Sequence, residues 1–349
     1  IRAAIIPAFI YYLALFFIVH FYSKRIGAET SLKIPEEPVK RSASVETFRG
    51  IVFFVTLGAL VALLLAGYTV FRSVSLALVV VVALSFFSER TRLSWASVSA
   101  AFIRTAKGGV PLVAAAAAVG IILGVVTLTG IGTRFPSTIL QVSGDSLLLA
   151  LALIMVGSIV LGMGLPSAVC YLLMATLIAP IIGRLDIVPL AAHFFIFYFG
   201  MMSMVTPPVA LAAYTSASIA NTDIMKTAFA AFRFSLVGFT LPFMFVFRPE
   251  LLFLTADGDV SGLVPALAAG IFVAIGIVPL AAGIAGYLVA PLSAGPRVLL
   301  LLAAALLFFP GRDLSFLGVA VSWVNLAGLA LAVGLTMQQV RERTRSEEP

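Results

Sequence analysis

Two clusters of residues interrupt otherwise apolar sequence about forty residues apart: Gly162-Met163-Gly164-Leu165-Pro166-Ser167 and Ser203-Met204-Val205-Thr206-Pro207-Pro208. Glycine opens backbone conformations that other residues avoid, and proline removes a donor, so each cluster is expected to split a helix into two halves. A half-helix ending at Gly162 or Gly164 leaves its last carbonyls unpaired, and carbonyl oxygens are hard ligands for a small cation. A half-helix restarting at Pro166 and Ser167 aims N–H groups and the positive end of a dipole at the same place, which suits a carboxylate. Proline is tolerated in that first turn, where its missing donor costs nothing. In the second cluster Ser203 and Thr206 offer hydroxyls, and two prolines cannot cap the carbonyls before them. Tyr214, Thr215, Ser216 and Ser218 add polar groups on the helix that restarts beyond it.

The chemistry these types allow is joint binding of a sodium ion and an anion by backbone and hydroxyl oxygens. The cation side is assigned to Gly162, Ser203, Met204, Thr206 and Pro207. The anion side is assigned to Gly164, Pro166, Ser167, Thr206, Pro208, Tyr214 and Thr215. Two structural kinks are the alternative for either cluster taken singly.

Composition fixes the medium in which these breaks sit. Of the 349 residues 62% are hydrophobic and 11% charged, with a mean hydropathy of +1.16. Soluble domains carry about 25% charged residues, so an all-α, polytopic transmembrane protein is expected. Lipid offers no hydrogen-bond partners, so broken backbone at membrane depth must be buried in protein or line a cavity. Paired discontinuous helices are the pattern of a secondary transporter's binding site. The net charge of +7 is spread through loops. That reads as topology control and gives no pattern for nucleic acid. Cys170 is the single cysteine, which excludes an intrachain disulfide; a small buried hydrophobe is expected. The chain begins at Ile1 and is apolar by Ala3, so it is expected to be a piece of a longer protein.

In chain order, Ala3–Phe21 is expected to span and the basic stretch Ser23–Arg49 to be cytoplasmic. Ile51–Phe71 and Ser73–Phe87 then form an outward and returning pair around Arg72. Ser88–Lys107 alternates apolar and basic positions, as an interfacial helix does, with a plain linker as the alternative. Gly108–Gly130 crosses outward, and Arg134–Asp145 is an external polar loop. Leu147–Ile182 contains two halves of about 16 residues, each short for a span. A re-entrant hairpin followed by one broken crossing over Val188–Ala220 satisfies the parity of the flanking charges; three full crossings satisfy it too. Lys226, Arg233 and the C-terminal Arg341, Arg343 and Arg345 are placed inside, and Glu250, Asp257 and Asp259 outside. Four further hydrophobic segments follow, Ala228–Phe247, Leu263–Ala290, Val298–Phe309 and Phe316–Leu335, with Pro242 and Pro279 as single kinks. The domain reading is scaffold helices over 1–107, a transport core over 108–227 and C-terminal scaffold helices over 228–349. His193 has no carboxylate at helical spacing and is expected to be structural.

The pattern GMGLPS, then Pro180, His193-Phe194 and MVTPPVALAAY, resembles the second repeat of the large membrane subunit of TRAP transporters, which are tripartite and ATP-independent. The opening IPAFIYYLALFFIVHFYSKRIG resembles the stretch after that family's first repeat. The resemblance covers about residues 1–245. The C4-dicarboxylate branch usually has aspartate where this chain has Pro166; the GMGLP form and the additional C-terminal helices look like the TAXI branch, often fused. It implies an elevator-type, sodium-coupled permease of the bacterial inner membrane, importing an organic acid or amino acid. It further implies delivery by a soluble periplasmic binding protein, small-subunit helices of the same system, and surrounding lipid. It also implies an N-terminal first repeat not contained in these residues, without which this piece alone should not transport.

Two other classes stay open on the residues alone. A passive channel or a permease driven by a separate ATPase also tolerates broken helices. An intramembrane serine enzyme built on Ser167 and His193 lacks the nucleophile-elbow spacing, and neither HExxH nor paired intramembrane aspartates occur.

Overall fold

The computed structural model describes residues 2–29, 43–86, 93–163, 165, 167–182, 185–311, 314–316 and 319–347. Apolar sequence in lipid must close its backbone hydrogen bonds within each segment, and the described residues are helical almost throughout. The helices are α1 (Ile5–Glu29), α2 (Ala43–Leu65), α3 (Val70–Ser85), α4 (Trp95–Thr129), α5 (Ile131–Ser143), α6 (Leu147–Gly162) and α7 (Ser167–Ile182). They continue as α8 (Pro189–Met202), α9 (Leu211–Ala220), α10 (Ile224–Phe247), α11 (Leu263–Ala285), α12 (Ala294–Leu307) and α13 (Trp323–Glu347). A two-stranded antiparallel hairpin, β1 (Leu314–Phe316) and β2 (Val319–Val321), separates the last two helices. Among the described residues, four helices are long and apolar enough to cross a membrane: α1, α10, α11 and α13. The protein is a polytopic helical membrane protein.

The chain forms two compact units. The first contains residues 1–2 and 32–114 and the second residues 3–31 and 115–349. In the first, α2 and α3 pack as a hairpin. Arg72 does not mark the turn: the N–H of Arg72 donates to the Thr69 hydroxyl at 3.4 Å, so Thr69 caps α3 and Arg72 lies in its first turn. A threonine with extended backbone ahead of an apolar run is a strong start signal. The expected break between an interfacial helix and a crossing at Lys107–Gly108 is absent, because α4 runs unbroken from Trp95 to Thr129.

The second unit is built on small-residue faces, as expected where lipid gives helices no hydrophobic reason to associate. On α1, Ile6, Ile10, Ala14 and Ile18 are buried at i, i+4 spacing. They meet α11, whose Ala266, Ala269, Gly270 and Val273 are buried. A Cβ on Gly270 would stand 3.0 Å from Ile6 Cγ2, so the two helices are close-packed there. The expected external loop over Arg134–Asp145 is instead the helix α5, packed on α6 and α7. Its Ile139 and Ser143 are buried one turn apart; that helical spacing outweighs the polar composition from which a loop is expected.

The C-terminal segment also departs from the reading of its sequence. α11 stops at Ala285 because Gly286 adopts a left-handed φ of 80° and donates to the Ala282 carbonyl at 2.8 Å. Phe316 belongs to β1, and α13 continues through Arg341 to Glu347. Asn325 holds this end together. It is fully buried, and its Nδ2 lies 2.9–3.0 Å from the carbonyls of Leu306, Leu307 and Phe309, capping α12, while Oδ1 accepts from the Ser322 N–H. Asn325→Ala leaves those groups unpaired and is expected to cost about 1–3 kcal/mol, seen as a lower Tm for the purified protein, with no such loss in Asn325→Gln only if the longer amide reaches the same carbonyls.

Candidate functional site

Helix α6 ends where its buried stripe ends. Ala150, Ile154, Ser158 and Gly162 follow one another at i, i+4 and are all buried. Ser146 starts the helix by accepting from the Leu149 N–H at 3.3 Å. Met163 turns to extended backbone, and α7 begins at Ser167. The expected hairpin is therefore present as two helices of 16 residues that pack on each other and on α8. Gly164 and Pro166, assigned to the anion side, lie outside the described residues, as does Arg184. Ser167 is placed only as the first residue of α7, at the positive end of that helix.

The second break falls where the prolines demand it. Helix α8 ends at Met202, a single 3-10 turn covers Ser203–Val205, and α9 restarts at Leu211. The peptide bond Pro207–Pro208 is cis, and Ala210 takes a left-handed φ of 37° just before the restart. The 3-10 turn packs against α6, α9 and α10.

Ser203 joins the two breaks. It is fully buried, and its Oγ lies 2.9 Å from the Gly162 carbonyl oxygen and 2.6 Å from that of Gly200. One hydroxyl proton serves two carbonyls, so three oxygens from α6 and α8 converge on one point. The expectation that the Gly162 carbonyl is unpaired is corrected. It accepts from the Leu165 N–H at 3.1 Å as well as from Ser203. The physical reason is that buried polar backbone finds a partner wherever one is within reach. A cation reaching this carbonyl must displace the Ser203 proton.

Thr206 performs the capping that the prolines cannot. Its hydroxyl donates to the Met202 carbonyl at 2.8 Å, and its N–H donates to the Ser203 carbonyl at 3.3 Å. Its own carbonyl accepts from the Ala210 N–H at 3.1 Å. The assignment of uncapped carbonyls to this stretch is thereby corrected for Met202, Ser203 and Thr206. Tyr214 reaches back over the break, with its OH 3.4 Å from the Pro208 carbonyl. Met204 sits in the 3-10 turn and Pro207 just beyond it, both half-buried. Thr215 is placed only by its backbone in α9.

Three features were missed by reading motifs alone. Cys170 Sγ is wedged between the two helices: a Cβ on Gly162 or on Gly200 would come within 2.7 Å of it. Gly200 is thus as necessary to the approach of α6 and α8 as Gly162. Ser158 Oγ is fully buried and has no hydrogen-bond partner among the described residues. It lies one turn before Gly162 on the same face of α6, and that i, i+4 relation was the available signal. The Nδ1 of His193, expected to be structural, is 3.1 Å from the Tyr171 OH, beside a cleft of about 240 Å³ lined by Leu190, Phe194 and Phe197. Among the described residues no group of three or more His, Cys, Asp or Glu side chains could hold a metal ion.

A discontinuous crossing facing a helical hairpin describes a transporter's core. Residues 1–260 match the family model described as the Tripartite ATP-independent periplasmic transporter, DctM component. The chain belongs to this family. No curated protein and no solved structure matches it. As a DctM component it is the membrane permease of a tripartite transporter, a transport rather than an enzyme family, and works with two further components. The match reaches α10 and the turn after it. Helices α11–α13 lie beyond the matched residues, yet α11 packs along α1 inside them.

Proposed function

We propose that this DctM component imports an organic anion, a carboxylate or an amino acid, by sodium symport across the bacterial inner membrane. The observation that carries the proposal is the meeting of the Gly162 and Gly200 carbonyl oxygens with Ser203 Oγ, at the point where α6 ends and α8 unwinds. Sodium is cargo here. Rotation of the Ser203 hydroxyl turns its lone pairs, with the two carbonyls, toward the ion, and Thr206 Oγ1 keeps lone pairs free while its proton stays on Met202. The carbonyls of Met204 and Pro207 complete the cation side. The substrate carboxylate sits against the start of α7, where Gly164, Pro166 and Ser167 bring the positive dipole end of a helix, with Thr206, Pro208, Tyr214 and Thr215 across from it.

A periplasmic binding protein delivers the substrate. The core over 108–227 moves in an elevator-like manner against scaffold helices that include 228–349. The absence of an aspartate at Pro166, together with the C-terminal helices, favours the TAXI type over the dicarboxylate type. Uptake into proteoliposomes holding the complete transporter and its binding protein tests this reading. Uptake is expected under an inward sodium gradient and not under an equal potassium gradient. Equal uptake under both would contradict symport and favour a channel; uptake only with ATP would favour an ATP-driven permease.

A further inference from the structure

A proline inside a helix has no N–H for the carbonyl four residues before it, and its ring pushes that carbonyl aside. In α11 the proline is Pro279, and the carbonyl is that of Ile275. Carbonyls left over at the end of the same helix find donors. That of Ala282 accepts from the Gly286 N–H at 2.8 Å. Those of Gly283 and Ala285 accept from Arg297 and Arg25, and that of Ile284 from Arg233 and Arg297. The Ile275 carbonyl has no such cap: among the described residues no side chain donates to it.

Ile275 and Pro279 stand one turn apart on one face of α11. Both line an apolar cleft of about 380 Å³ between α11, α12 and α13. Pro279 and Leu300 are buried there, whereas Ile275, Val333 and Met337 are exposed. Since α11 and α13 are long and apolar enough to cross the membrane, the cleft opens toward lipid. A second oxygen lines it. Thr336 gives its hydroxyl proton to the Ala332 carbonyl at 2.8 Å, so toward the cleft it accepts. No lining side chain is charged, and none has a proton left to donate.

A lining that only accepts selects its ligand. Phosphate or carboxylate needs donors or cations, and there are none. An ammonium group would exchange its hydration for two neutral oxygens in apolar surroundings, at heavy cost. A neutral hydroxyl on a hydrocarbon chain brings the one proton the cleft can use. Apolar walls with a few placed polar groups are the usual make-up of a small-molecule site.

We infer that the cleft between α11, α12 and α13 binds a lipid alcohol from the bilayer, whose hydroxyl donates to the Ile275 carbonyl or to Thr336 Oγ1. The site lies beyond the residues that match the DctM model. Its occupant supplies the hydrogen bond that Pro279 withholds from α11, the helix that packs along α1.

The test titrates the purified protein in neutral detergent with oleyl alcohol, its methyl ether or oleate, read by native mass spectrometry. Oleyl alcohol is expected to bind saturably, and the ether, which has no proton to give, about five-fold more weakly. Oleate should be weaker than the alcohol as well. Pro279→Ala returns an N–H to the Ile275 carbonyl, and Thr336→Val removes the other oxygen while keeping its shape. Together they should bring the alcohol-to-ether ratio close to one. The ratio is the readout because a straightened α11 that merely reshaped the cleft would weaken both ligands alike. Ala332→Trp puts an indole into the cleft and should abolish saturable binding. Equal binding of alcohol and ether by the wild type would overturn the inference, as would oleate binding as tightly as the alcohol. So would an unchanged ratio in the double variant, or full binding by Ala332→Trp.

Discussion

Gly200→Ala is expected to destabilise the permease by about 1–3 kcal/mol, the usual cost of forcing an extra methyl into a packed interior, and Cys170→Ala is expected to recover much of that loss. The new Cβ would stand 2.7 Å from Cys170 Sγ but 3.7 Å from Cys170 Cβ, an ordinary contact. Removing the sulfur therefore makes room. The coupling between the two changes should fall within about 0.5–3 kcal/mol in a double-mutant cycle read by thermal unfolding. Gly162→Ala behaves differently. Its Cβ meets the same sulfur at 2.7 Å, but also Ser203 Oγ at 3.0 Å and the Gly200 carbonyl oxygen at 3.2 Å. Cys170→Ala relieves only the first, so rescue should be incomplete and the oxygen cluster displaced. Equal rescue of both glycine variants would show that the Ser203 and Gly200 oxygens do not restrict Gly162, and rescue of neither would show that α6 and α8 do not approach through this sulfur.

Thr206→Val is expected to raise the sodium concentration for half-maximal uptake by about 10–100-fold, the range seen when an orienting partner of a metal ligand is lost. Thr206→Ser should stay near the wild type. Valine keeps the shape but removes the hydroxyl that caps Met202, so the end of α8 loses a partner at the same moment that the site loses an oxygen. Hydrogen bonds between groups in membrane proteins contribute about 0.6 kcal/mol on average and up to about 1.7, so the fold should survive. The decisive readout is a split in the kinetics: a purely structural residue would lower the amount of active protein at every sodium concentration, whereas a ligand is rescued by high sodium. Loss of rate that no sodium concentration restores would assign Thr206 to the fold alone.

The breaks themselves were legible because Gly162, Pro166, Pro207 and Pro208 act locally: each changes the backbone allowed at its own position. The ends of α6, α7, α8 and α9 consequently lie close to where the sequence places them. What joins the breaks was not legible. Ser203 and Gly162 are separated by 41 positions, and no local rule says which carbonyl a buried hydroxyl will choose. Cys170 and Gly200 read as ordinary small apolar residues until two helices are seen to close on them. α5 was hidden by the polar composition of Arg134–Asp145, which reads as an external loop until Ile139 and Ser143 are seen buried one turn apart. The unbroken α4 shows the reverse error, since a change from basic to apolar composition marks a change of surroundings and not a break in the backbone. Arg297 drew no attention as a lone charge at a helix start. Its meaning depends on the end of α1, the N-terminal half of α10 and the end of α11 meeting at the same level.

Equilibrium binding of radiolabelled sodium to the purified permease, in wild type and Ser203→Ala, tests the central claim most directly, because it needs neither the substrate nor the binding protein. Saturable binding that excess potassium does not displace, and that Ser203→Ala weakens at least about ten-fold, is the expected result. Undiminished sodium binding in Ser203→Ala would contradict a cation site at the junction of α6 and α8.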